Sequence, residues 1–456
     1  MFKRNAMGNT RTKLVAGAVL LTLGLTAAGS AMSTDTFGGG ATLPAGAYVG
    51  FDFLSGGQKQ SANTSVNATG AATVSGGSLF GAWAAASSNK VSYCQTGSGN
   101  GKKIFDNSDG TNHLTAVGAC DGTTAGFNAP AGVLVNPHFA GSDAPMSTTE
   151  YSWFNTGGKT ATYGEPTQFP AVAGSIAIIY NNGDVTTQLN LTDAQICSVF
   201  NGTTTNWSAF GFPSKPIKVA FRSDGSGTTF SLANHLATVC SGTASQHFVV
   251  DQAFSTVISK FPALSGSIGA SGNPAVVTAV NSNDGAIGYA ESANLKAAAS
   301  LNPNVKASKV NGFDPYSDFP VAGGVPVGTS PNTGGNTTAN SINVATSNDR
   351  AITGVDATTG RPTLGALTPL GQTGCMKIVD PANYANSTTR YPIVAVSYLI
   401  ANNKGNGTDA AAVQGLIGSA YAPSAGVTSI GQGTGFAFVK PVPAIAQSAI
   451  NACVNI

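Results

Sequence analysis

Short apolar runs that favour β-strands alternate along the chain with segments of helical periodicity. The runs Ile176 to Tyr180 and Ile217 to Phe221 are each followed by a helical pattern, over Leu191 to Phe200 and Phe230 to Cys240. Alternation of this kind is typical of α/β folds, in which helices flank a sheet. The pattern therefore predicts an α/β protein.

One helix start is marked by a local signal. Thr192 is followed three residues later by Gln195, which is the spacing of a capping box, and Ile196, Val199 and Phe200 then fall on one helical face. We expect a helix to begin near Thr192.

Other stretches lack periodicity and are dominated by Gly, Ser, Thr, Asn and Ala. Such composition predicts exposed insertions or linkers. The stretches with this composition are Ser55 to Ser78, Asp106 to Pro130 and Ala322 to Ser347.

The amino terminus has the pattern of a signal peptide. Basic residues precede an apolar run from Leu14 to Ala28, and the small residues Gly29, Ser30 and Ala31 follow it. A membrane anchor is the alternative, but the run has only about 15 residues and a spanning helix needs about 20. We expect residues 1–33 to be removed on export.

Size and charge narrow the class of protein. The 456-residue chain, less its predicted signal peptide, is longer than one hydrophobic core usually supports, so two domains are expected. Charged residues make up 9% of the chain and the net charge is +2, whereas about 25% is typical. Nucleic-acid and membrane-surface partners, which depend on clustered Lys and Arg, are disfavoured.

Six cysteines in an exported chain predict three disulfides. Proximity favours pairing neighbours along the chain, although other connectivities remain open: Cys94 with Cys120, Cys197 with Cys240, and Cys375 with Cys453. No Cys/His cluster has metal-ligand spacing, and the four histidines are scattered. We therefore expect no metal and no cofactor.

The most informative segment runs from Ile217 to Phe230, where a β-like run enters a Gly-rich turn and leaves in a helical pattern. A helix start presents unpaired N–H groups and a partial positive charge, and so attracts anions. Ser226 and Thr228 add hydroxyl donors, and Gly225 and Gly227 allow close approach of the backbone. The alternative is an ordinary turn followed by a capped helix, without a ligand site.

Arg222 and Asp224 stand at the beginning of this turn. A guanidinium group matches two oxygens of a tetrahedral anion, and Asp224 can orient it through a salt bridge. Alternatively the two residues form a surface ion pair worth less than about 1 kcal/mol.

Two further Gly-rich segments, Gly38 to Pro44 and Tyr93 to Lys102, have the same character. Neither nucleotide binding nor a serine nucleophile is indicated. A P-loop would need Gly where Thr96 stands, and a nucleophile elbow around Ser226 would need Gly where Asp224 stands.

These segments, together with Phe139 to Asp143, resemble in their order the phosphate-binding proteins of ABC transporters (PstS-like), in particular the secreted DING-type branch. The resemblance covers most of the mature chain. It implies a two-domain periplasmic-binding-protein fold of type II, with the ligand in a cleft between domains joined by crossing segments. The expected domains are residues 34–170 plus 386–456, and residues 171–385.

The resemblance also implies the ligand residues. Donors would come from both domains: the Thr42 hydroxyl, the Leu43 N–H and the Ser98 hydroxyl from the first, and Arg222, Ser226, Gly227 and Thr228 from the second. Asp143 would decide specificity, because an ionised carboxylate only accepts hydrogen bonds and so needs a ligand that still carries a proton. From its sequence context alone, Asp143 can equally be a helix cap that competes with a Ser147/Glu150 capping box.

The expected function is therefore high-affinity binding of inorganic phosphate without catalysis, by a monomer that supplies ABC transporter membrane subunits. Since the first cysteine is Cys94, no lipid anchor is indicated, and we expect a periplasmic or secreted protein of a Gram-negative bacterium. Two alternatives stay open. One is a secreted phosphomonoesterase of DING-like type, and the other is a structural or adhesive surface protein with this Gly-, Thr- and Asn-rich composition.

Overall fold

The computed structural model describes residues 34–50, 58–60, 72–107, 120, 126–127, 136–299, 301–320 and 341–456. The predicted signal peptide lies outside these residues. So do most of the predicted loop from residue 106 to 130 and residues 322–340 of the third predicted loop.

Strands and helices alternate, as the sequence pattern predicts. The strands are β1 (Asp35–Gly40), β2 (Gln58–Gln60), β3 (Ala72–Thr73), β4 (Lys90–Gln95), β5 (Phe139–Ser142), β6 (Pro166–Asn181), β7 (Asn190–Leu191), β8 (Lys218–Arg222), β9 (Ile268–Ala270), β10 (Ala286–Glu291), β11 (Lys306–Ala307), β12 (Lys309–Val310), β13 (Ser341–Asn348), β14 (Arg350–Val355), β15 (Pro362–Ala366), β16 (Lys377–Val379), β17 (Val394–Asn402) and β18 (Phe436–Val442). The helices are α1 (Ala45–Val49), α2 (Leu79–Ser87), α3 (Ser98–Asp106), α4 (Thr148–Thr156), α5 (Thr160–Tyr163), α6 (Asp193–Phe200), α7 (Gly227–Val239), α8 (Phe254–Val257), α9 (Gly272–Asn281), α10 (Ser292–Ala298), α11 (Ala410–Gly418) and α12 (Gln447–Cys453).

The long strand β6 connects the two parts of the main sheet. Within the described ranges, strands pair in the order β16-β13-β18-β6-β17-β5-β1-β4-β2-β3, and β10 and β11 pair with β6 as well. The first half of β6 pairs with β17 and β18, and its second half pairs with β10 and β11. All 16 residues of β6 are buried, which explains its near-continuous apolar sequence.

Parallel pairing brings several strand ends to one edge. Strand β1 pairs in parallel with both β4 and β5, so Gly40 lies beside Gln95 on one side and Gly141 on the other. The loops that follow these strands therefore meet. In the other part of the sheet, β8 pairs in parallel with β10 and β9 and ends at Arg222.

Local signals placed several helices correctly. Helix α6 follows Thr192, and both bonds of the Thr192/Gln195 capping box are present. Helix α7 follows the Gly-rich turn, as the pattern of residues 217–230 predicts. A core cluster of aromatic rings, Tyr48, Phe80, Tyr93 and Phe139, packs under the β5-β1-β4 edge with centroid separations of 4.5 to 6.2 Å.

The disulfides join Cys94 to Cys120, Cys197 to Cys240 and Cys375 to Cys453, the pairs that proximity favours. Two loop predictions are wrong in part. The predicted loop Ser55 to Ser78 contains the short strands β2 and β3, and the end of the third predicted loop is also a strand. Ser341–Asn348 forms β13, which pairs in parallel with β18, because the alternating Ile342 and Val344 are buried against the core. None of the helices in the described ranges has the length and hydropathy of a membrane span. The division into two domains at the expected boundaries stays a prediction.

Candidate functional site

One side of the candidate site, called here the first wall, consists of Thr42, Leu43, Ser98 and Asp143. These residues follow strands β1, β4 and β5, whose parallel pairing places their ends side by side. Each is at most 3% exposed. Residues far apart in sequence therefore meet in a buried cluster, as the resemblance implies.

The opposite side, called the second wall, is the contiguous segment Arg222 to Thr228. Strand β8 ends at Arg222, and helix α7 begins at Gly227 with Ser226 as its N-cap. The Ser226 Oγ accepts a hydrogen bond from the Thr229 N–H at 3.1 Å. The leading N–H groups of α7 have no partners within the helix and carry its positive end, an arrangement that attracts anions.

Arg222 connects the two walls. Its Nε donates to Asp224 Oδ1 at 2.6 Å, and its Nη2 pairs with the other carboxylate oxygen. Its Nη1 lies 3.1 Å from Thr42 Oγ1 in the first wall. Arg222 is only 2% exposed, so the alternative of a surface ion pair is wrong.

The Arg222–Asp224 pair stabilises both of its charges. Burial opposes ionisation of Asp224, yet the neighbouring guanidinium outweighs it and lowers the pKa of that carboxyl. Burial likewise opposes the charge of Arg222, while Asp224 raises its pKa above the ordinary value. The Gly272 N–H adds a 3.0 Å bond to Asp224 Oδ1. A fixed cation therefore stands in a site sealed from water.

Two hydroxyl groups are oriented by this cation. Thr42 Oγ1 accepts from Arg222 Nη1, and Thr228 Oγ1 accepts from the same nitrogen at 3.4 Å and from Asn273 Nδ2 at 3.3 Å. A hydroxyl that accepts from a cation still has its own hydrogen to donate. Both threonines can therefore act as donors to an anion.

Asp143 is the acceptor in the first wall. Its Oδ2 accepts from Ser98 Oγ at 3.3 Å, and its backbone N–H donates back to that oxygen at 3.1 Å. Burial raises the pKa of Asp143 to about 7, although a hydrogen bond from Ser397 and the charge of Arg222 oppose the rise. The alternative of a helix cap is wrong, because Ser147 caps α4 in a complete capping box with Glu150.

The two walls touch. The Gly99 N–H donates to the Gly225 carbonyl at 3.0 Å. A Cβ on Gly227 would lie 2.4 Å from Asp143 Cβ, so only glycine permits this approach. The residues of both walls are therefore in direct contact and buried from solvent.

Comparison with known proteins fits this geometry. Residues 57–418 match the family model of the PBP superfamily domain. The chain belongs to the PBP superfamily.

Individual relatives of this PBP chain are of two named kinds. It is 33% identical over 227 residues, or 48% of its length and 54% of the relative, to alkaline phosphatase L of Pseudomonas aeruginosa. It is 32% identical over 192 residues, or 38% of its length and 48% of the relative, to phosphate-binding protein PstS 2 of Mycobacterium tuberculosis. The chain thus spans about half the length of the curated relatives it matches.

A solved structure shows the fold. The chain matches a high-affinity periplasmic phosphate-binding protein (PfluDING) bound with phosphate, at 24% identity and a TM-score of 0.54, over 89% of this chain and 91% of the other. The predicted fold class, a mixed α/β periplasmic-binding-protein fold of type II, is confirmed.

The PBP site contains a group that our sequence analysis missed. Asn273 is fully buried at the start of α9, where its Oδ1 accepts from Arg222 Nη1 at 3.1 Å and its Nδ2 donates to Thr228 Oγ1. The only signal was a Ser-Gly-Asn-Pro sequence between a short strand and a helix, which is ordinary turn chemistry. All the expected ligand residues do converge, but their roles toward a ligand stay predictions.

Proposed function

We propose that this protein is an exported binding protein that holds inorganic phosphate by hydrogen bonds and charge and does not transform it. The observation that carries the proposal is that one buried cation, two hydroxyls oriented by it and the start of α7 lie close to the buried carboxyl of Asp143. Such a set suits a tetrahedral anion that still carries a proton.

The named relatives support this function. Phosphate-binding protein PstS 2 and the phosphate-bound PfluDING structure are phosphate binders by name. We further propose that the mature chain is a periplasmic or secreted monomer that delivers phosphate to ABC transporter membrane subunits, and that closure of two domains accompanies binding.

Asp143 explains how phosphate would be selected over sulfate. An ionised carboxylate accepts a hydrogen bond from protonated phosphate, whereas sulfate presents only oxygen lone pairs. Placing a buried acceptor against an anionic oxygen leaves both unsatisfied, and such sites discriminate by about 10⁴. The 1% exposure of Asp143 removes water as a substitute donor.

The closed walls favour a free anion over a phosphate ester. The Gly99–Gly225 bond and the packing of Gly227 on Asp143 leave the ligand residues at most 3% exposed. An ester would have to pass an alkyl or aryl group between these contacts. The likeness to alkaline phosphatase L nevertheless makes phosphomonoesterase activity the second candidate.

Titration calorimetry tests the proposal. Phosphate is titrated into the mature, phosphate-stripped protein with and without excess sulfate, and hydrolysis of p-nitrophenyl phosphate is measured on the same preparation with and without chelator. We expect tight phosphate binding that ignores sulfate, and no turnover. Turnover would establish the enzyme instead, and absence of phosphate binding together with absence of turnover would favour a structural surface protein.

A further inference from the structure

The segment Val250 to Gln252 is fastened to the second wall. The Ser226 N–H donates to the Gln252 carbonyl at 3.0 Å. Because Ser226 is the N-cap of α7, this bond fixes the start of that helix. Movement of the segment therefore moves the second wall.

The Gln252 side chain reaches across to the first wall. Its Nε2 donates to Glu150 Oε1 at 3.1 Å, and the same oxygen lies 2.6 Å from Lys102 Nζ. Glu150 is on α4, the helix after Asp143, and Lys102 is on α3, the helix that begins at Ser98. Gln252 thus bonds to the buried ion pair that joins two helices of the first wall.

The hairpin β14–β15 forms a second link to the same segment. At its tip, the Gly360 carbonyl accepts from the Val250 N–H at 2.9 Å. Gly360 is buried, its φ is +68°, and a Cβ there would lie 1.9 Å from the Phe248 carbonyl oxygen. The tip can dock in this way only because residue 360 is glycine.

The base of the hairpin is attached to the first wall. The Ile352 N–H donates to the Met146 carbonyl at 3.1 Å, three residues after Asp143. The neighbouring Ala351 is fully buried. Two separate routes, the Gln252 side chain and the hairpin, therefore connect the segment Val250 to Gln252 to the first wall.

We propose that the segment Val250 to Gln252 is a clasp that holds the two walls together and sets the rate at which the bound anion leaves. The proposal rests on the phosphate-binding function for its ligand. Both links join one wall to the other, so they break when the site opens. Contacts of this kind slow dissociation far more than they change encounter. Gln252 is then a positioning residue, since it acts through Ser226 and Glu150.

Two substitutions in the full mature chain test the clasp. Gln252→Ala removes the bond to Glu150, and Gly360→Ala lifts the hairpin tip from Phe248. Release of radiolabelled phosphate into excess unlabelled phosphate gives the dissociation rate. Gln252→Ala loses a hydrogen bond to the charged Glu150, and Gly360→Ala breaks the docking of the hairpin tip through a clash with the Phe248 carbonyl. Each variant should therefore release phosphate about tenfold faster, with the association rate changed less than about twofold.

Matched controls separate this effect from general damage. Gln246→Ala removes an exposed glutamine from the same region. Gly312→Ala introduces the same kind of backbone strain, because its φ is +87°, but its Cβ would meet nothing within 4 Å. Both controls should leave the release rate within about twofold of the wild type. An unchanged rate in Gln252→Ala and Gly360→Ala, with phosphate still tightly bound, would overturn the clasp.

A second readout does not depend on the ligand. If the wild-type protein binds no phosphate, the proposed function fails, and hydrogen exchange of the Gly99 amide in the empty protein then decides on the clasp. That amide bonds across the walls to the Gly225 carbonyl. The two clasp variants should exchange it faster than both controls, and equal exchange would refute the proposal.

Discussion

The two walls of the site are built in opposite ways. The second wall is one uninterrupted segment, Arg222 to Thr228, whose strand end, turn and helix start follow from neighbouring residues. The first wall draws Thr42, Ser98 and Asp143 from three separate loops that meet only because β1 lies between β4 and β5. One wall is specified locally and the other by sheet topology.

The difference extends to the charges. In the second wall, Arg222 and Asp224 lie two residues apart and each stabilises the ionised form of the other. In the first wall, Asp143 is buried and its pKa is raised to about 7, so its ionisation is disfavoured in the empty site. We therefore expect second-wall changes to reduce affinity and stability together. Changes to Asp143 should alter specificity instead.

The largest expected effect is the loss of selectivity in Asp143→Asn. An amide can donate to either anion, so the proposed ratio of about 10⁴ between phosphate and sulfate affinity should fall to within about tenfold. Competition calorimetry with both anions measures the ratio. Retained rejection of sulfate would show that Asp143 does not select the ligand.

The same variant has a consequence for stability. A carboxyl whose pKa is raised on folding binds its proton more tightly in the folded state. The wild-type protein should therefore lose stability as the pH rises from about 4 to about 7. Asp143→Asn should remove that contribution. Thermal unfolding of empty protein at pH 8 should therefore show the variant at least as stable as the wild type, despite its loss of selectivity.

Removing the cation of the second wall comes next. Arg222→Ala deletes the proposed ligand charge and leaves Asp224, with a side chain 8% exposed, without its partner. Breaking a buried pair costs about 3–5 kcal/mol, so phosphate affinity should fall by about 10³ and the melting temperature should fall with it. Calorimetry and thermal unfolding measure the two losses. A variant that kept wild-type affinity would exclude Arg222 as a ligand.

The sequence predicts the locally specified second wall better than the first wall, which depends on sheet topology. Residues 217–230 could be interpreted from local rules, and so could the capping box of α6, because adjacent residues decide both. The environment of Asp143 could not, since its burial and its bond to Ser98 depend on pairing between β5, β1 and β4. The family resemblance supplied that grouping, which no periodicity in the chain contains.

Tertiary packing also hid three other features. Asn273 contacts Arg222 in the site, and Gln252 contacts Glu150 beside it. Both come from segments whose local sequences are those of ordinary loops, so no motif marks them. Strand β13 was predicted as loop because its polar residues outnumber the buried Ile342 and Val344, yet pairing with β18 makes it a strand. In each case a non-local contact determined the outcome.

A smaller effect concerns pH. As the pH falls through about 7, Asp143 in the empty site gains a proton and becomes a donor as well as an acceptor. Sulfate affinity should therefore rise about tenfold between pH 8 and pH 6, because the protonated fraction rises by about that factor. Sulfate titrations at the two pH values test this, with Asp143→Asn as the control in which the rise should vanish.

The smallest expected effect tests whether the second wall depends on support from outside its own segment. Asn273 holds Arg222 Nη1 and Thr228 Oγ1 at once, so Asn273→Ala should loosen both groups and weaken phosphate binding about fivefold to tenfold. Thr278→Ala, on the exposed side of the same helix, is the matched control. Asn273→Asp should be worse than alanine, because a carboxylate beside Arg222 would compete with the anion for its charge. Equal affinities in all three variants and the wild type would mean that Arg222 is positioned by Asp224 alone. The second wall would then need no support from residues outside its own segment.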